Sequence, residues 1–587
     1  MSSSRQWLRV RLTSSLNPER LMLLLVIILA IAWVFPGLLG HDPWKADEPY
    51  SFGLVANILA TGDLVVPTLA GEPFVEKPPL FYITAAGFAL LFSSLLPLHD
   101  AARLASGFFD LITILFVALL GREILGRGKG EIAVLVLLGC IGFQDQAHKL
   151  ITDTALVAGF AIALYGLALA RRRSLLGGFW LGTGIGIGFM AKGLLAPGIL
   201  GIIVGILPLI AREWRNSSYL HAIAMALLSA APWLLIWPIA LYARSPELFT
   251  EWLWVQNFGR FFNENNLGPP NKPGLYLQLL PWFAWPAFPL AAWGLWQLRG
   301  LWRNTGLLWL PLAAFIIMVA VLSLASDGRS LYALPLLVPL AVLGAAAVAL
   351  LPNASIPSLN YSASGITASV ILLLWVGWLA MQSGFPVSLA DKLLQQSPSY
   401  LPTIEPLALG IALAYTAGWL CIVIVAGKGS LSPLIRWSSG IVTAWGLLMT
   451  LWLPWFNAGS SYQSVFLSCA EAMSEHSGPV ASRGLGESER AMLDYYAGIV
   501  TERVETQSET GCDLMLVQGG PGSDLSPGPT WTKLWEGGRA GVTKERFVLW
   551  ERQPSEIRLG AKRKPRGPVA SGEERILGEE VSYAQGD

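Results

Sequence analysis

The sequence predicts an all-α polytopic membrane domain followed by a small α/β domain at the C-terminal end. Of the 587 residues, 53% are hydrophobic and only 13% are charged, whereas soluble domains carry roughly 25% charged residues. Apolar windows of about 20 residues, the length that crosses a bilayer core as a helix, recur from Leu21 to Pro454. From Asn457 onward charges and glycines return. We therefore expect a membrane domain over residues 1–456.

Each apolar window predicts one membrane-spanning helix, and about 13 of them follow one another along the chain. The first run is long and ends at Pro36-Gly37 without a small-residue cleavage site, which favours a retained helix over a signal peptide. The expected spans are residues 21–40, 102–121, 131–147, 152–171, 176–191, 194–211, 219–243, 277–298, 304–325, 331–350, 367–384, 404–427 and 437–456.

The distribution of basic residues predicts the orientation of these spans. Arg9, Arg11 and Arg20 precede the first span, and the acidic pair Asp47-Glu48 follows it. Cytoplasmic loops are enriched in Lys and Arg, so we expect a cytoplasmic N-terminus and a periplasmic first loop over residues 41–101. An odd number of spans keeps the later basic clusters inside and leads the C-terminal domain outside. The pattern predicts a multi-pass membrane protein with a cytoplasmic N-terminus.

One apolar stretch, Pro79 to Leu98, does not fit this orientation. Counting it as a span would turn every later basic cluster outward, against the positive-inside rule. We therefore expect an interfacial or re-entrant helix there. The alternative is that this stretch spans and that a weaker segment, such as residues 176–191, does not.

Residues 457–553 show the mixed pattern of a small periplasmic α/β domain. No catalytic constellation is evident in it, so we expect a cap or an interaction module, and a disordered tail at 554–587. Cys469 and Cys512 would lie in an oxidising compartment, where a disulfide can form, although their spacing fixes no connectivity. The predicted elements are strands near 479–482, 499–504, 513–518, 532–535 and 546–550, and a helix from Glu487 to Ala497.

Charged side chains gather in the outward loops rather than in the middle of the spans. A transporter would place ionisable residues or broken helices near the bilayer midplane, so this pattern favours an enzyme acting at the membrane surface. Asp47 or Glu48 could act as a general base there, and a helix-capping or solvated acidic pair is the alternative. Lys77, held before two prolines, suits a contact to phosphate, unless it only extends along lipid to reach water.

Several motifs in these loops resemble those of bacterial GT-C glycosyltransferases. The first loop carries Asp47-Glu48, Thr61-Gly62-Asp63 and Glu76-Lys77-Pro78-Pro79-Leu80. The resemblance covers about residues 20 to 350 and is closest to the lipid A aminoarabinose transferases, with the protein O-mannosyltransferases more distant. The later matching motifs are Ala102-Arg103-Leu104, Met190-Ala191-Lys192-Gly193, Asn257-Phe258-Gly259-Arg260-Phe261 and Ser330-Leu331-Tyr332.

The resemblance implies a GT-C type transferase that moves a sugar, with inversion, from a polyprenyl-phosphate donor to a lipid or protein acceptor on the periplasmic face. Asp47 would be the general base that deprotonates the acceptor, and Glu48 a neighbour that shapes the pKa of Asp47. Fixed cations would neutralise the departing lipid phosphate, because they stabilise developing charge strongly in a dry site. The implied substrate-binding residues are Glu76, Lys77, Tyr82, Asp153, Lys192, Asn257, Arg260, Arg329 and Tyr332.

The sequence departs from the family pattern in one loop. In aminoarabinose transferases a histidine before the eighth span can join the Glu of the Glu-Lys-Pro-Pro motif in binding a metal, whereas residues 265–273 here contain no histidine. The five histidines of the chain show no ligand spacing, so we predict no zinc site and no cofactor; a divalent metal could bind but is not predicted. The acceptor stays open between lipid A, another glycolipid and a protein.

Two other functions remain as alternatives. A transporter or flippase for lipid-linked sugars would show repeated helices with intramembrane charges, and a non-catalytic scaffold would leave Asp47 and Lys77 on unrelated surfaces. The net charge of +1 gives no field that would attract nucleic acid. The expected partners are therefore the lipid-linked donor, the acceptor and membrane lipids.

Overall fold

The computed structural model describes residues 18–262, 269–299, 306–476, 478–506, 511–539, 541–542 and 544–553. Helices fill most of the chain up to Ala472, and a five-stranded sheet follows. This architecture confirms the predicted fold class, an all-α membrane domain with a small C-terminal α/β region. The predicted disordered tail and the arginines Arg5, Arg9 and Arg11 lie outside the described residues.

The α-helices are numbered along the chain. The first twelve are Pro18–Val34 (α1), Asp47–Thr61 (α2), Leu80–Phe92 (α3), Leu98–Leu125 (α4), Gly130–Leu138 (α5), Ile141–Gln146 (α6), Asp153–Ala170 (α7), Ser174–Lys192 (α8), Leu195–Ile210 (α9), Ser217–Arg244 (α10), Pro246–Thr250 (α11) and Arg260–Phe262 (α12). A π-helix, Glu251–Gly259, joins α11 to α12, and 3-10 turns lie at Arg212–Trp214, Gly306–Leu308, Ser330–Leu336 and Asn353–Ser355.

The later helices are Leu275–Phe283 (α13), Ala287–Leu298 (α14), Trp309–Leu324 (α15), Leu337–Val348 (α16), Ile356–Ser383 (α17), Val387–Gln396 (α18), Pro406–Val425 (α19), Ser432–Leu451 (α20), Leu453–Ser460 (α21), Gln463–Ala472 (α22) and Glu487–Ala497 (α23). The strands are Thr68–Leu69 (β1), Glu72–Pro73 (β2), Val480–Arg483 (β3), Thr501–Arg503 (β4), Leu514–Gly519 (β5), Trp531–Gly537 (β6) and Arg546–Arg552 (β7).

The helices follow the predicted spans closely. In the described part of the chain, nine helical segments are long and apolar enough to cross a membrane, and each corresponds to one predicted span. The other four predicted spans contain shorter or interrupted helices, namely α1, α5 with α6, α9, and α13 with α14. Every predicted window is thus helical, while the total of about 13 crossings stays a prediction.

The stretch from Pro79 to Leu98 forms the short helix α3. Its 13 residues give a length of about 20 Å at 1.5 Å per residue, well below the roughly 30 Å of a bilayer core. The segment that could have replaced it as a span, α8, is long and apolar enough to cross. The structure thus shows a short α3, and its interfacial or re-entrant placement stays a prediction.

The centre of the bundle is the pair α7 and α8. Nearly all of α7 is buried, and its glycines face those of α8. A Cβ on Gly184 would collide with the backbone of Ala163 and Gly159, so only glycine lets the two backbones approach this closely. This contact fixes the neighbouring ends of the two helices, where Asp153 begins α7 and Lys192 ends α8.

The first loop is folded rather than extended. Helix α1 ends at Val34 instead of the predicted residue 40, and Asp47 and Glu48 form the first turn of α2. Strands β1 and β2 form an antiparallel hairpin after α2. The acidic pair therefore does not directly follow the first span, as the sequence suggested, but opens a separate helix of the loop.

Arg103 of α4 anchors this loop from inside the protein. Its side chain is fully buried; Nε donates to Glu48 Oε1 at 2.9 Å and Nη1 donates to Asp100 Oδ1 at 2.8 Å. The guanidinium also donates to the carbonyls of Leu38 and His41. A buried charge needs such partners, because removing one member of a buried ion pair leaves the charge of the other member uncompensated. Arg103 thus holds the turn between α1 and α2 in place.

The C-terminal sheet has the strand order β4-β3-β5-β7-β6. Strand β3 pairs parallel with β4 and β5, whereas β7 pairs antiparallel with β5 and β6. All of the predicted strands and the predicted helix α23 are present. Helix α21 runs across the predicted domain boundary at residue 456, so that boundary stays a prediction. Helix α23 packs on α2, where Phe52 and Tyr495 meet edge to face at 4.7 Å.

Cys469 and Cys512 do not form a disulfide with each other. Cys469 is buried in α22, and the Cys512 Sγ lies 3.4 Å from Glu502 Oε2. Burial raises the pKa of the Cys469 thiol to about 12, so this thiol is neutral at ordinary pH. The disulfide that the sequence left open is therefore absent, and packing and hydrogen bonding hold the C-terminal sheet instead.

Replacing Gly184 with alanine should destabilise the bundle. The added Cβ would force α7 and α8 apart, and overpacking of this kind costs about 1–3 kcal/mol. The measurement is the melting temperature of the purified protein in detergent. The matched control is Gly201→Ala on α9, where a Cβ meets nothing within 4 Å and alanine favours the helix by up to about 1 kcal/mol. Equal melting temperatures for the two variants would contradict the close-contact argument.

Replacing Arg103 with methionine should lower the free energy of unfolding by about 3–5 kcal/mol, because it leaves buried carboxylates without their cation. The control is Arg172→Met, which removes an ion pair to Glu123 whose arginine is 64% exposed and should cost no more than about 1 kcal/mol. The measurement is the thermal unfolding of both variants in detergent. Similar losses would mean that the Arg103 network does not anchor the loop.

Candidate functional site

A cavity of about 1130 Å³ lies where the first loop, the ends of α7 and α8, the segment around α12 and the C-terminal region meet. Of the eleven predicted site residues, all line this cavity except Glu48 and Tyr82. The predicted site residues that line it are Asp47, Glu76, Lys77, Asp153, Lys192, Asn257, Arg260, Arg329 and Tyr332.

Asp47 opens α2 and faces the cavity. Its side chain is 23% exposed, and its Oδ1 accepts a hydrogen bond from Arg329 Nη1 at 3.3 Å. A carboxylate in the first turn of a helix is stabilised by the helix dipole. Asp47 is therefore an oriented carboxylate with one oxygen on Arg329 and with access to a ligand in the cavity.

Glu48 has a different environment from its neighbour. It is 2% exposed and accepts hydrogen bonds from Arg103 and from the backbone N–H groups of Trp44 and Leu150, each at 2.9 Å. Burial would raise the pKa of Glu48, but the Arg103 charge and these hydrogen bonds offset it and hold the pKa below its usual value. Glu48 is thus an ionised anchor that positions Asp47 and does not touch the cavity.

Lys77 and Arg260 form a cationic cluster around Glu76. Arg260 Nη1 donates to Glu76 Oε1 at 2.7 Å, and Lys77 Nζ lies 3.4 Å from the same oxygen. Lys77 also donates to the Tyr50 hydroxyl at 2.6 Å. Burial lowers the pKa of Lys77, but the Glu76 carboxylate more than offsets this and raises the pKa above its ordinary value. Both cations therefore stay charged in the cavity wall.

Arg260 also reaches a second acidic residue that the sequence motifs missed. Its Nε donates to Asp327 Oδ2 at 3.1 Å, and the Tyr332 hydroxyl donates to the same oxygen at 3.0 Å. Asp327 precedes Arg329 by two residues, so one short loop supplies Asp327, Arg329 and Tyr332. The closeness of Asp327 to Arg329 in one predicted outward loop was the sequence signal that could have identified Asp327.

Lys192 adds a third cation where α8 ends. It forms an ion pair with Asp153 at the start of α7, and its Nζ lies 4.1 Å from the centre of the Tyr332 ring. The close contact of α7 and α8 brings Asp153 and Lys192 together. An ammonium over an aromatic face gains a cation–π attraction, which adds to the ion pair in orienting Lys192 toward the cavity.

Asn257 supports the turn that follows Lys192. Its Oδ1 accepts a hydrogen bond from the Leu194 N–H at 3.0 Å, and its Nδ2 donates to the Trp252 carbonyl at 2.7 Å. Gly193 has φ +67°, and a Cβ there would collide with Asn257, so the turn requires glycine. Asn257 lines the cavity and at the same time links α8 to the π-helix.

Tyr82 is the other predicted residue that does not line the cavity. It is fully buried in α3, and its ring meets Phe74 at a centroid distance of 6.4 Å. Its hydroxyl has no hydrogen-bond partner among the described residues. Tyr82 therefore packs behind the wall of the site rather than in it.

The C-terminal region, which the sequence predicts as a cap or an interaction module, supplies part of the cavity wall. Glu487, Arg490 and Arg503 line the cavity. Arg490 and Arg503 bind Glu72 of the first loop at 3.0 and 3.2 Å. No local pattern indicates these contacts, because they join segments far apart in the sequence. An acidic and basic first turn in α23 was the only available signal.

A buried polar cluster locks the same region onto the first loop just before Asp47. Lys45 Nζ lies 2.9 Å from Glu489 and 3.0 Å from Glu545. The Tyr462 hydroxyl donates to both carboxylates, and Ser488 donates to the Ala46 carbonyl. Burial lowers the pKa of Lys45, but the two carboxylates raise it above its ordinary value. The C-terminal region thus holds the segment that presents Asp47.

The chain is similar to known membrane glycosyltransferases. A family model described as dolichyl-phosphate-mannose-protein mannosyltransferase matches residues 76–237. The undecaprenyl phosphate-alpha-4-amino-4-deoxy-L-arabinose arabinosyl transferase 2 of Pseudomonas fluorescens is 26% identical and aligns over 75% of this chain and 72% of its own. The corresponding transferase of Pseudomonas aeruginosa is also 26% identical, over 73% of this chain and 74% of its own.

Solved structures of ArnT also share the fold of this chain. The crystal structure of ArnT from Cupriavidus metallidurans bound to undecaprenyl phosphate superposes with a TM-score of 0.67 at 16% identity, and the alignment covers 91% of this chain and 98% of that one. Its apo state gives a TM-score of 0.66 at 15% identity, covering 90% and 97%. The helices and the relatives together indicate a multi-pass protein of the inner membrane. The resemblance predicted from the motifs is confirmed: the chain is a membrane glycosyltransferase that is similar in sequence to the aminoarabinose transferases and in fold to ArnT.

Proposed function

We propose that the protein transfers a sugar from a polyprenyl-phosphate donor to an acceptor of the cell envelope, with Asp47 as the general base. The observation that carries this proposal is one cavity in which an accessible carboxylate, Asp47, faces a cluster of half-buried cations. The names of the relatives, which are undecaprenyl phosphate aminoarabinose transferases, support a lipid-linked donor. Both a lipid A-type glycolipid and a protein fit the proposal as acceptor.

In the proposed step the Asp47 carboxylate accepts the proton of the acceptor hydroxyl. The acceptor oxygen then attacks the anomeric carbon, and the bond from that carbon to the phosphate oxygen breaks. The phosphate leaves with the bonding electron pair, and a single displacement inverts the configuration at the sugar. Arg329 holds one oxygen of Asp47, so the other oxygen is oriented for the proton transfer. General-base catalysis of this kind contributes about 10²–10⁴-fold in rate.

The departing lipid phosphate gains negative charge as the bond breaks. Lys77, Arg260 and Lys192 line the cavity with fixed charges, and such charges stabilise developing charge without reorganisation in a site shielded from water. Each of these cations is already oriented by a carboxylate neighbour. The phosphate therefore enters a prearranged cationic pocket rather than ordering flexible side chains.

The proposal includes an orientation of the protein in the membrane. The positive-inside pattern assigns the first loop and the C-terminal region to the periplasmic side of the bacterial inner membrane, with the N-terminus in the cytoplasm. In this orientation the cavity opens toward the compartment that holds envelope acceptors, and a polyprenyl chain could lie along the apolar lining residues Ile199, Ile202 and Leu195. The lining carries both a charged and an apolar part, as a lipid phosphate requires.

Asp47→Asn should abolish transfer while leaving the fold intact, because the amide keeps the shape of the side chain but cannot accept the proton. Wild type and variant are expressed in a strain lacking the protein, and mass spectrometry follows the glycans on lipid A, other envelope lipids and proteins. We expect a loss of about 10²-fold or more in rate. The control is Asp391→Asn on α18, an exposed position. A glycan profile like that of wild type, at equal expression, would rule out Asp47 as the base.

Lys77→Met should weaken binding of undecaprenyl phosphate about 10- to 100-fold, since hydrogen bonds to charged groups contribute about 1.5–3 kcal/mol and 1.4 kcal/mol is a factor of ten. The readout is a titration of the purified protein with undecaprenyl phosphate in detergent. The control is Lys149→Met, whose ammonium is 40% exposed beside Asp145 and lies outside the cavity. Unchanged affinity in the Lys77 variant would contradict a phosphate contact.

A further inference from the structure

Arg436 lies in α20, a helix that is long and apolar enough to cross a membrane, and it has no acidic partner. Its side chain is half-buried and forms no ion pair with any residue that the structure describes. Its Nη1 donates to Ser364 Oγ of α17 at 3.1 Å, and its Nη2 donates to the Gly427 carbonyl at 3.5 Å. Its Nε is buried and has no hydrogen-bond partner in the described part of the chain. The guanidinium therefore keeps unused donors and an uncompensated charge.

The segments around Arg436 supply cations and polar groups but no carboxylate. Helices α17, α19 and α20 and the connection over residues 426–431 contain neither Asp nor Glu. Lys428 is exposed in that connection. Ser432 Oγ donates to Asn360 Oδ1 of α17 at 2.8 Å, so polar side chains join α17 to α20 beside the guanidinium. The charge and the donors of this cluster are those that an anion requires.

The cluster lies at the end of α20 that is away from the cavity. Helix α20 continues beyond Leu451 into α21 and the C-terminal region, which supplies part of the cavity wall. Arg436 precedes Leu451 by about 22 Å along the helix axis, at 1.5 Å per residue. The positive-inside pattern predicts that this end faces the cytoplasm. The cytoplasmic leaflet carries anionic lipids, and basic pockets between membrane helices on that side bind lipid headgroups.

We propose that Arg436, Ser364 and Lys428 form a binding site for the phosphate of an anionic phospholipid. The planar guanidinium presents a fork of donors that matches phosphate oxygens, and the Lys428 ammonium adds a point charge. Exposed apolar side chains of the two neighbouring helices, Ile366 of α17 and Ile424 of α19, offer surface to the acyl chains. This inference is independent of the proposed function, because the site lies outside the cavity.

A lipid held at Arg436 stabilises a part of the bundle that has little core of its own. Ile371 of α17, Trp419 of α19 and Leu447 of α20 belong to a small hydrophobic cluster separate from the main core. In α19, which the structure describes in full, only Ala412 and Trp419 are buried. A ligand that binds the folded state alone raises its stability, so the lipid should raise the melting temperature.

The test uses the delipidated full-length protein in detergent, with phosphatidylglycerol, the zwitterionic phosphatidylcholine or inorganic phosphate added. Native mass spectrometry gives the lipid affinity, and thermal unfolding gives the melting temperature. We expect phosphatidylglycerol to raise the melting temperature of wild type more than phosphatidylcholine does. Arg436→Gln should lose about tenfold or more in affinity for phosphatidylglycerol, because it removes a hydrogen bond to a charged group. Arg436→Lys keeps the charge and should have an intermediate affinity.

The matched control is Arg172→Gln, because Arg172 follows α7 at the end away from Asp153 and is already paired with Glu123. It should keep the wild-type affinity. The comparison is repeated in the Lys77→Met background, so that lipid bound in the cavity does not contribute. Equal affinities of wild type and Arg436→Gln, or equal effects of the two phospholipids, would overturn the proposal. Displacement of phosphatidylglycerol by inorganic phosphate would assign the site to a soluble anion and would overturn it as well.

Discussion

The buried contact between Arg103 and Glu48 is the interaction on which the rest of the site depends. It joins α4 to the first turn of α2 inside the protein, with the guanidinium fully enclosed. Since Asp47 is the adjacent residue, the direction in which its carboxylate points is set by where Glu48 is held. One of the two neighbouring acids is therefore structural and the other faces the cavity, although the sequence presents them as a pair.

The cavity is assembled from three parts of the chain that each carry charges. The first loop contributes Asp47 and Lys77, the helix ends contribute Asp153 and Lys192, and the C-terminal region contributes Glu487. Each part is fixed by a different kind of contact: a buried ion pair for the loop, glycine packing for the helix ends, and the Lys45 cluster for the C-terminal region. Loss of any one contact would misplace charges without altering the others.

The sequence predicts the helices well, because hydrophobic windows reflect burial in lipid and in the bundle directly. It also predicts the cavity residues that carry strong loop motifs, such as Lys77 and Arg260. It fails where the outcome depends on tertiary contacts. Helix α2 was missed because it lies in a loop of mixed polarity, and the burial of Glu48 was not foreseen because its partner Arg103 lies on another helix. For Glu487 the sequence offers only the charged first turn of α23 as a signal.

The sharing of Arg260 between Glu76 and Asp327 has a consequence for how the cavity responds to ionic strength. Both carboxylates form ion pairs with the Arg260 guanidinium, and Lys192 is likewise paired with Asp153. In the proposed function, a lipid phosphate would therefore exchange one set of ion pairs for another instead of displacing mobile counterions. Salt screens exposed charges strongly and partly buried pairs much less, so binding of the phosphate at this site should depend less on ionic strength than binding to exposed surface lysines.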